Sequence, residues 1–368
     1  MPGKDRQQPQ YLAHVVPGLE TIAAHELRLR AGRAGQVRAL RGFDERTSIL
    51  AFPFDGPTTD LLMLRTVEDL FALGAEAQGI PWTYAGLRAA QQAVTTSQTL
   101  EMAAALVLEA RGHRPHKPTF RVIARKAGDH AFRRVDLQHA VERALIERFP
   151  AWRAKEENAS LELWVHLIED HFILGLRLSG ATLRQRTYKQ VSLPASLKPT
   201  VAAAMALLSQ PQPEDVVLDP MCGAGTILIE RAEAGRYRQL LGGDSDPAAV
   251  TATRANVGPR HQPIELRRWD ARALPIEDGS VSVVISNLPF GRKVGWPAEL
   301  RTLYPALIAE WSRVTAPGGR MVLLTSETAL LETAVRGQRE MRIVDRIRVL
   351  VRGQPAAIHL VHADGSHR

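Results

Sequence analysis

One cysteine, Cys222, stands in 368 residues. A lone thiol closes no disulfide within the chain and builds no cysteine-based zinc site. The 12 histidines show no ligand spacing, so no metal is expected. Apolar runs are short. The longest, such as Val201–Leu208, fall far below the roughly 20 residues a bilayer requires. The first ten residues are polar and charged and show no secretory signal. Fixed-period repeats and low-complexity tracts are absent. Acids are missing altogether between Asp170 and Glu214. These absences exclude a disulfide scaffold, a membrane span and a solenoid, and they lead to the expectation of a cytoplasmic protein with no obligatory protein partner.

What remains is globular. Apolar residues make up 45% of the chain and charged residues 23%, enough for real cores, and the length suggests two or three domains. Net charge is +8, unevenly spread. Arg111, Arg114, Lys117, Arg121, Arg125, Lys126, Arg133 and Arg134 meet a single acid, Asp129. The acid-free stretch carries Arg177, Arg184, Arg186, Lys189 and Lys198. Runs of this kind fit a polyanion, because each neutralised phosphate releases condensed counterions. A solvated basic face explains each run equally well when taken alone.

Periodicity divides the chain. Tyr11–Val16 and Thr47–Phe52 read as strands, and Leu19–Leu29 and Asp60–Leu73 as helices, which together make a small α+β unit. Leu87–Arg111 has helical spacing, followed by a strand over Thr119–Arg125 and a helix over Asp136–Phe149. Leu161–Ile168 and Phe172–Arg177 form a strand pair. From Ser196 strands and helices alternate, as in a doubly wound α/β sheet. Strands are expected at Val216–Leu218, Gln239–Gly243, Ile264–Arg268, Val281–Ser286 and Arg320–Ser326. Helices are expected at Ala224–Ala234, Pro247–Asn256 and Leu300–Val314. Met341–Val351 and Ala356–Val361 close the chain as an antiparallel hairpin.

Four strings in the last part carry chemistry. In Val216–Thr226 an apolar strand ends in Asp219, and a Gly223-Ala224-Gly225 loop then opens a helix. Glycines let the backbone bend and a ligand approach, beyond the carboxyl end of a strand where open α/β sheets bind ligands. A dinucleotide site would want a third glycine where Leu228 stands, and Asp219 suits an ammonium or hydroxyl better than a pyrophosphate. S-adenosylmethionine has such groups and no phosphate. Asp244, 19 residues past Gly225, is placed to accept bonds from ribose hydroxyls. Asp246 before Pro247 reads as a helix N-cap. Asp270, after the third strand, could accept from an adenine amino group, or be an ordinary loop aspartate. The most specific string is Asn287-Leu288-Pro289-Phe290-Gly291-Arg292-Lys293. The Asn287 amide oxygen and the Leu288 carbonyl are two acceptors suited to an –NH2 group. Pro289 stiffens the loop. Phe290 offers a face for a base, and Arg292 and Lys293 could meet phosphates.

These strings resemble the class I methyltransferase fold, and Asn287–Gly291 is similar to the Asp/Asn-Pro-Pro-Tyr/Phe-Gly motif of amino-methyltransferases. Leu193–Ala202, Pro17-Gly18-Leu19-Glu20 and Leu174-Gly175-Leu176 look like segments of THUMP-domain RNA methyltransferases, most nearly the tRNA guanine-N2 group acting on acceptor-stem position 6. Leu288 departs from the usual proline. The resemblance implies an α/β fold with a class I (Rossmann-like) methyltransferase domain at 196–368. That domain would have a mostly parallel sheet ending in an antiparallel hairpin. Ahead of it would lie an α+β ferredoxin-like domain at 1–79, a THUMP domain at 80–180 and a basic linker at 181–195. It also implies S-adenosylmethionine as cofactor, held by Asp219, Cys222, Gly223, Gly225, Thr226, Asp244, Ser245, Asp270, Ala271 and Asn287, although Cys222 by itself reads as a packing residue. Asn287, Leu288, Pro289 and Phe290 would form the catalytic loop. Arg121, Arg125, Lys126, Arg133, Arg134, Arg184, Arg186, Lys189, Arg292 and Lys293 are the expected contacts to RNA, most simply tRNA. Methylation of ribosomal RNA at guanine N2, adenine-N6 methylation and non-catalytic RNA binding are the competing readings.

Overall fold

The computed structural model describes residues 8–32, 34–44, 47–112, 115–179, 183, 185–194, 196–291 and 297–365. The chain forms two compact units, Met1–Arg184 and Gln185–Arg368. Among the described residues no helix is long and apolar enough to cross a membrane.

The first unit opens with β1 (Gln10–Val15), α1 (Glu20–Ala31), β2 (Arg38–Asp44), β3 (Thr47–Pro53), α2 (Thr58–Leu62) and β4 (Val67–Ala77). This is a βαββαβ, ferredoxin-like order. It continues with α3 (Ala85–Thr95), α4 (Leu100–Ala110), β5 (Thr119–Ala127), α5 (Arg134–Arg148), β6 (Arg153–Ala154), β7 (Leu161–Ile168) and β8 (His171–Arg177). The eight strands make one sheet in the order β2-β3-β1-β4-β8-β7-β5-β6. The two halves of the unit join through antiparallel β4 and β8, with Phe71 opposite Arg177. The sheet curls until β2 touches β5 and β7, enclosing Leu12, Ile49, Phe71, Ile168 and Ile173.

Two expectations are corrected here. Asp60–Leu73 is no helix: only Thr58–Leu62 is helical, and Val67 begins the central strand β4. Its first nine residues are all buried, and an apolar run covered on both faces looks alike as helix or strand. Within it Asp69 is matched across the sheet, its Oδ1 accepting from Arg177 at 2.6 Å. Leu87–Arg111 is two helices. Between them the Ser97 and Thr99 hydroxyls donate to the Gly74 carbonyl, and Arg148 donates to the end carbonyls of Val94 and Thr95 at 2.6 and 3.0 Å. Side chain–backbone bonds of this kind compete with helix continuation. Strand β2 had no predicted counterpart.

The second unit begins with α6 (Pro199–Leu208), which sequence periodicity did not mark because it is apolar all round and buried from Thr200 to Ala206. Then follow β9 (Val216–Asp219), α7 (Thr226–Ala234), β10 (Gln239–Asp244), α8 (Pro247–Val257), β11 (Ile264–Arg268), β12 (Val281–Asn287), α9 (Pro297–Val314), β13 (Thr315–Thr325), α10 (Thr328–Arg336), β14 (Met341–Val351) and β15 (Gln354–Ala363). Strand order is β11-β10-β9-β12-β13-β15-β14. The β9–β10, β10–β11, β9–β12 and β12–β13 pairs are parallel, and β13–β15 and β14–β15 are antiparallel, as the sequence implied. Chain direction through the sheet reverses between β9 and β12, the place where doubly wound sheets open a crevice at their carboxyl ends. Under one face Trp311, Tyr304, Leu307, Ile308 and Leu323 pack with Val284 and Leu218.

Candidate active site

Strand pairing brings the four chemical strings to one rim. Gly242 of β10 lies beside Asp219 of β9, and Val284 of β12 beside Leu218. The turns after β9, β10 and β12 therefore leave the same edge of the sheet side by side.

The glycine turn depends on its backbone. Gly225 has φ +77°, and a Cβ there would sit 2.8 Å from Thr253 Cγ2. At Gly223 a Cβ would meet no atom of the described residues within 4 Å beyond its two chain neighbours, so this stretch of backbone faces open space. The Gly223 N–H donates to Asp244 Oδ2 at 3.1 Å, and the Thr253 hydroxyl donates to the Gly223 carbonyl at 2.7 Å. Asp244 also accepts the Asp246 N–H on Oδ1 at 3.0 Å. A carboxylate offers about four lone-pair sites, so two bonds leave capacity for hydroxyl donors. Asp246 caps α8, its Oδ1 accepting from Ala248 N at 2.9 Å.

Asp219 is 1% exposed. Its Oδ1 accepts the Ser286 hydroxyl at 3.1 Å and the Met221 N–H at 3.3 Å. Burial raises its pKa to about 7 despite those two donors, with a smaller upward push from Asp244. Cys222 is buried, its thiol 3.5 Å from the Thr253 hydroxyl, and burial pushes its pKa up. Burial and a raised pKa fit a packing residue in the loop. Thr226 starts α7 and is buried.

The rim's third edge departs from expectation in part. Asp270 is exposed, and Arg272 takes both of its carboxylate oxygens, Nη2 at 2.6 Å and Nε at 3.0 Å. With the Arg272 backbone N–H at 2.9 Å and a second Nε contact at 3.1 Å, four contacts fill the carboxylate's acceptor sites, so reception of an adenine amino group there requires Arg272 to give way. Ser245 is exposed, and the buried Ala271 spends its carbonyl on Trp311 Nε1 at 3.0 Å. Trp269, which the sequence reading passed over, braces the turns instead. Its Nε1 donates to the Pro220 carbonyl at 2.9 Å, and its backbone N–H to Asp244 at 3.2 Å.

In the loop after β12, the Asn287 amide oxygen is buried and has no hydrogen-bond partner among the described residues. Buried polar atoms are rarely left so, because an unmade bond costs about 1–3 kcal/mol. The Leu288 N–H donates to the Leu324 carbonyl at 2.9 Å, Phe290 is half-buried, and Gly291 has φ +70°. Arg292 and Lys293 lie outside the described residues. Two contributors had no sequence signal: Ser286, whose partner Asp219 is 67 residues away, and Tyr304, whose hydroxyl donates to the Pro289 carbonyl at 2.8 Å.

The basic residues separate. In the first unit Arg121 and Arg125 are exposed and, four apart on β5, share a face. Arg125 sits over Trp164 at 5.7 Å. Lys126 projects from the opposite face and donates to the Gly128 carbonyl. Arg133 precedes α5, where the Asp136 carboxylate accepts both its backbone N–H at 2.8 Å and its guanidinium at 3.1 Å, and Arg134 reaches back toward the Ala124 carbonyl at 3.5 Å. Beside Arg133 lies a cleft lined by Tyr84, His139 and Arg143. Tyr84 is 65% exposed, and so is 42% of Trp82, which stacks on His130 at 4.9 Å. Neither ring was anticipated as a contact. In the second unit Arg186 is corrected: its guanidinium is buried against Glu230 at 3.0 Å, where Tyr188 also donates. It anchors the connector and is not presented to a phosphate. Lys189 is half-buried, and burial first and Arg352 second lower its pKa. Arg184 lies outside the described residues.

Comparison with known proteins fits this geometry. Residues 95–177 match the THUMP domain, and residues 186–355 match UPF0020, described as an RMKL-like methyltransferase domain. The chain is 32% identical over 263 residues to the tRNA (guanine(6)-N(2))-methyltransferase THUMP3 of Bos taurus, covering 67% of this chain and 52% of that protein. It is 34% identical over 215 residues to the U6 snRNA (guanine-N(2))-methyltransferase THUMPD2 of Mus musculus, covering 57% and 39%. This chain thus spans about half the length of the first of these relatives and less of the second. The crystal structure of TrmN from Thermus thermophilus superposes with a TM-score of 0.77 at 26% identity, covering 96% of this chain and 99% of that one. The chain carries a THUMP domain followed by an RMKL-like methyltransferase domain of the UPF0020 family.

Proposed function

We propose that this chain is an S-adenosylmethionine-dependent RNA methyltransferase that methylates the exocyclic N2 of a guanine in tRNA, with acceptor-stem position 6 the favoured target. The observation that carries the reading is the buried, unpartnered amide oxygen of Asn287, next in sequence to the serine that holds Asp219. An acceptor kept dry and unpaired at a strand's carboxyl end fits a donor that arrives with a ligand, and an amino group is such a donor. The names of the THUMP3 and THUMPD2 relatives favour guanine N2 over adenine N6.

The glycine turn fits the proposed cofactor. Gly223 leaves room for close approach, Asp244 retains acceptor capacity for ribose hydroxyls, and Asp219 would meet an ammonium group. When bound, the cofactor supplies an electrophilic methyl on its sulfonium. Asn287 and the Leu288 carbonyl would accept the two N–H bonds of the amine and turn its lone pair out of the ring toward that methyl. Phe290 would stack on the extruded base. Positioning and charge stabilisation then supply the rate. No strong base is needed before attack, because the nitrogen becomes far more acidic once methylated. We assign RNA binding to the first unit through Arg121, Arg125, Arg133, Arg134 and the Trp82–Tyr84 face. We also retain the partition into a ferredoxin-like part to 79, a THUMP part to 180 and a linker to 195, in a cytoplasmic setting.

Labelled cofactor and the purified chain alone, incubated with tRNA, U6 snRNA and ribosomal RNA transcripts, test this reading and the absence of a required partner. Transfer to guanine N2 of tRNA is expected. Asn287→Ala should lower kcat by about 100-fold or more while keeping cofactor affinity. Equal turnover by that variant removes the site assignment, and transfer confined to another RNA moves the substrate.

A further inference from the structure

The loop Asn287–Phe290 is gripped from behind by a hydrogen-bond chain whose protons can all be assigned. Tyr304, on α9, is fully buried. Its hydroxyl lies 2.8 Å from the Pro289 carbonyl and 2.6 Å from the hydroxyl of Thr325, which is itself buried at the end of β13. A carbonyl only accepts, so the one phenolic proton goes to Pro289. The Thr325 hydroxyl must then donate to Tyr304. That leaves a Thr325 lone pair for the Glu327 N–H, which arrives at 2.9 Å. All three bonds run the same way, from the start of α10 through β13 and α9 into the loop, an arrangement in which each bond polarises the next.

Its target matters. The Leu288 N–H is fixed to the Leu324 carbonyl at 2.9 Å, and the Pro289 carbonyl is fixed by Tyr304. The peptide between them, which carries the Leu288 carbonyl, is therefore held on both sides, and proline gives it no N–H through which to be turned. We propose that Tyr304 is a positioning residue for methyl transfer: through Pro289 it sets the direction of the Leu288 carbonyl and the seat of Asn287. This rests on the reading of the loop given under Proposed function.

The test uses the full chain with Tyr304→Phe, which keeps the ring and removes the donor. Thr325→Val keeps the phenol and removes the hydroxyl that donates to it. For Tyr304→Phe, kcat on tRNA should fall about 10-fold or more, as expected when the groups that orient the amine lose their alignment. The KM for tRNA and the affinity for S-adenosylhomocysteine should stay within about twofold. Thr325→Val should give a smaller loss of the same kind. Hydrogen exchange should quicken in peptides covering residues 287–291 and stay unchanged at 220–226. Unchanged kcat overturns the proposal, as does a joint fall of kcat, cofactor affinity and melting temperature, or unchanged exchange in the loop. Should the wild-type chain transfer methyl to no RNA, the functional reading fails, while loop exchange still decides whether Tyr304 holds the loop.

Discussion

The Asp219 carboxylate is kept from water, and its pKa rises to about 7. Because the folded value lies above the ordinary 3.8, ionisation works against the bare fold as pH rises from about 3.8 to about 7, and a cationic group beside it reverses that. If Asp219 holds the ammonium of the cofactor, affinity for S-adenosylhomocysteine should weaken below pH 7, approaching tenfold per pH unit. Calorimetric titration from pH 6 to 8.5 reads this. Asp219→Asn should bind weakly with a flat profile, and a flat profile in the wild type would remove the assignment. His166 has the opposite sign. It is fully buried, 3.2 Å from His14 through their Nε2 atoms, among Phe71 and Trp164, with the Arg125 charge nearby. Burial, then Arg125, lowers its pKa to about 3. Its neutral form supports the fold fully above about pH 6.5, and stability should fall by up to about 1.4 kcal/mol per pH unit as pH drops below that. Urea melts between pH 7 and 5 measure the slope. His166→Phe should flatten it, and an unaltered slope would show that another group governs acid sensitivity. At this scale the sequence displayed Asp219, Asp244 and Asn287, because each ends a strand inside a recognisable string. It hid Ser286, Trp269 and Tyr304, whose partners lie far along the chain.

Among the elements, legibility was uneven. Most strands and helices of the second unit were read within three residues, but β13 starts at Thr315 and not Arg320, and the amphipathic α10 over Thr328–Arg336 was missed. The buried strand β4 and the all-apolar α6 were missed too, since neither has a polar face to set its period. The close approach of β10 to the loop after β11 was equally hidden. A Cβ on Gly243 would lie 2.3 Å from Trp269 Cε2 and 2.5 Å from the Arg267 carbonyl oxygen. Backbone on one side and a hydrogen-bonded indole on the other leave little room to yield. Gly243→Ala should therefore cost about 1–3 kcal/mol, the range for overpacked sites, and weaken cofactor binding through the displaced Pro220 contact. A shifted denaturation midpoint is the measure, and wild-type stability together with wild-type affinity would show that the contact relaxes freely.

For the whole molecule, each of the two units has its own sheet and core. Scanning calorimetry of the full chain should resolve two transitions, with S-adenosylhomocysteine raising only one, by mass action on the folded second unit. A single transition, or a shift in both, would show that the units melt as one. By itself the sequence determined the chemistry on offer: a single thiol, basic runs, a doubly wound second half and the strings that end its strands. Those features are local, set by residue type and spacing. Tertiary structure decided which of them meet. Parallel pairing of β9 with β10 and β12 gathers three turns at one rim. Ion pairing withdraws Arg186 into the interior and engages Asp270 with Arg272, while burial leaves the Asn287 oxygen without a partner among the described residues. Burial and partnership depend on residues far apart in sequence, so they came into being only when the chain folded.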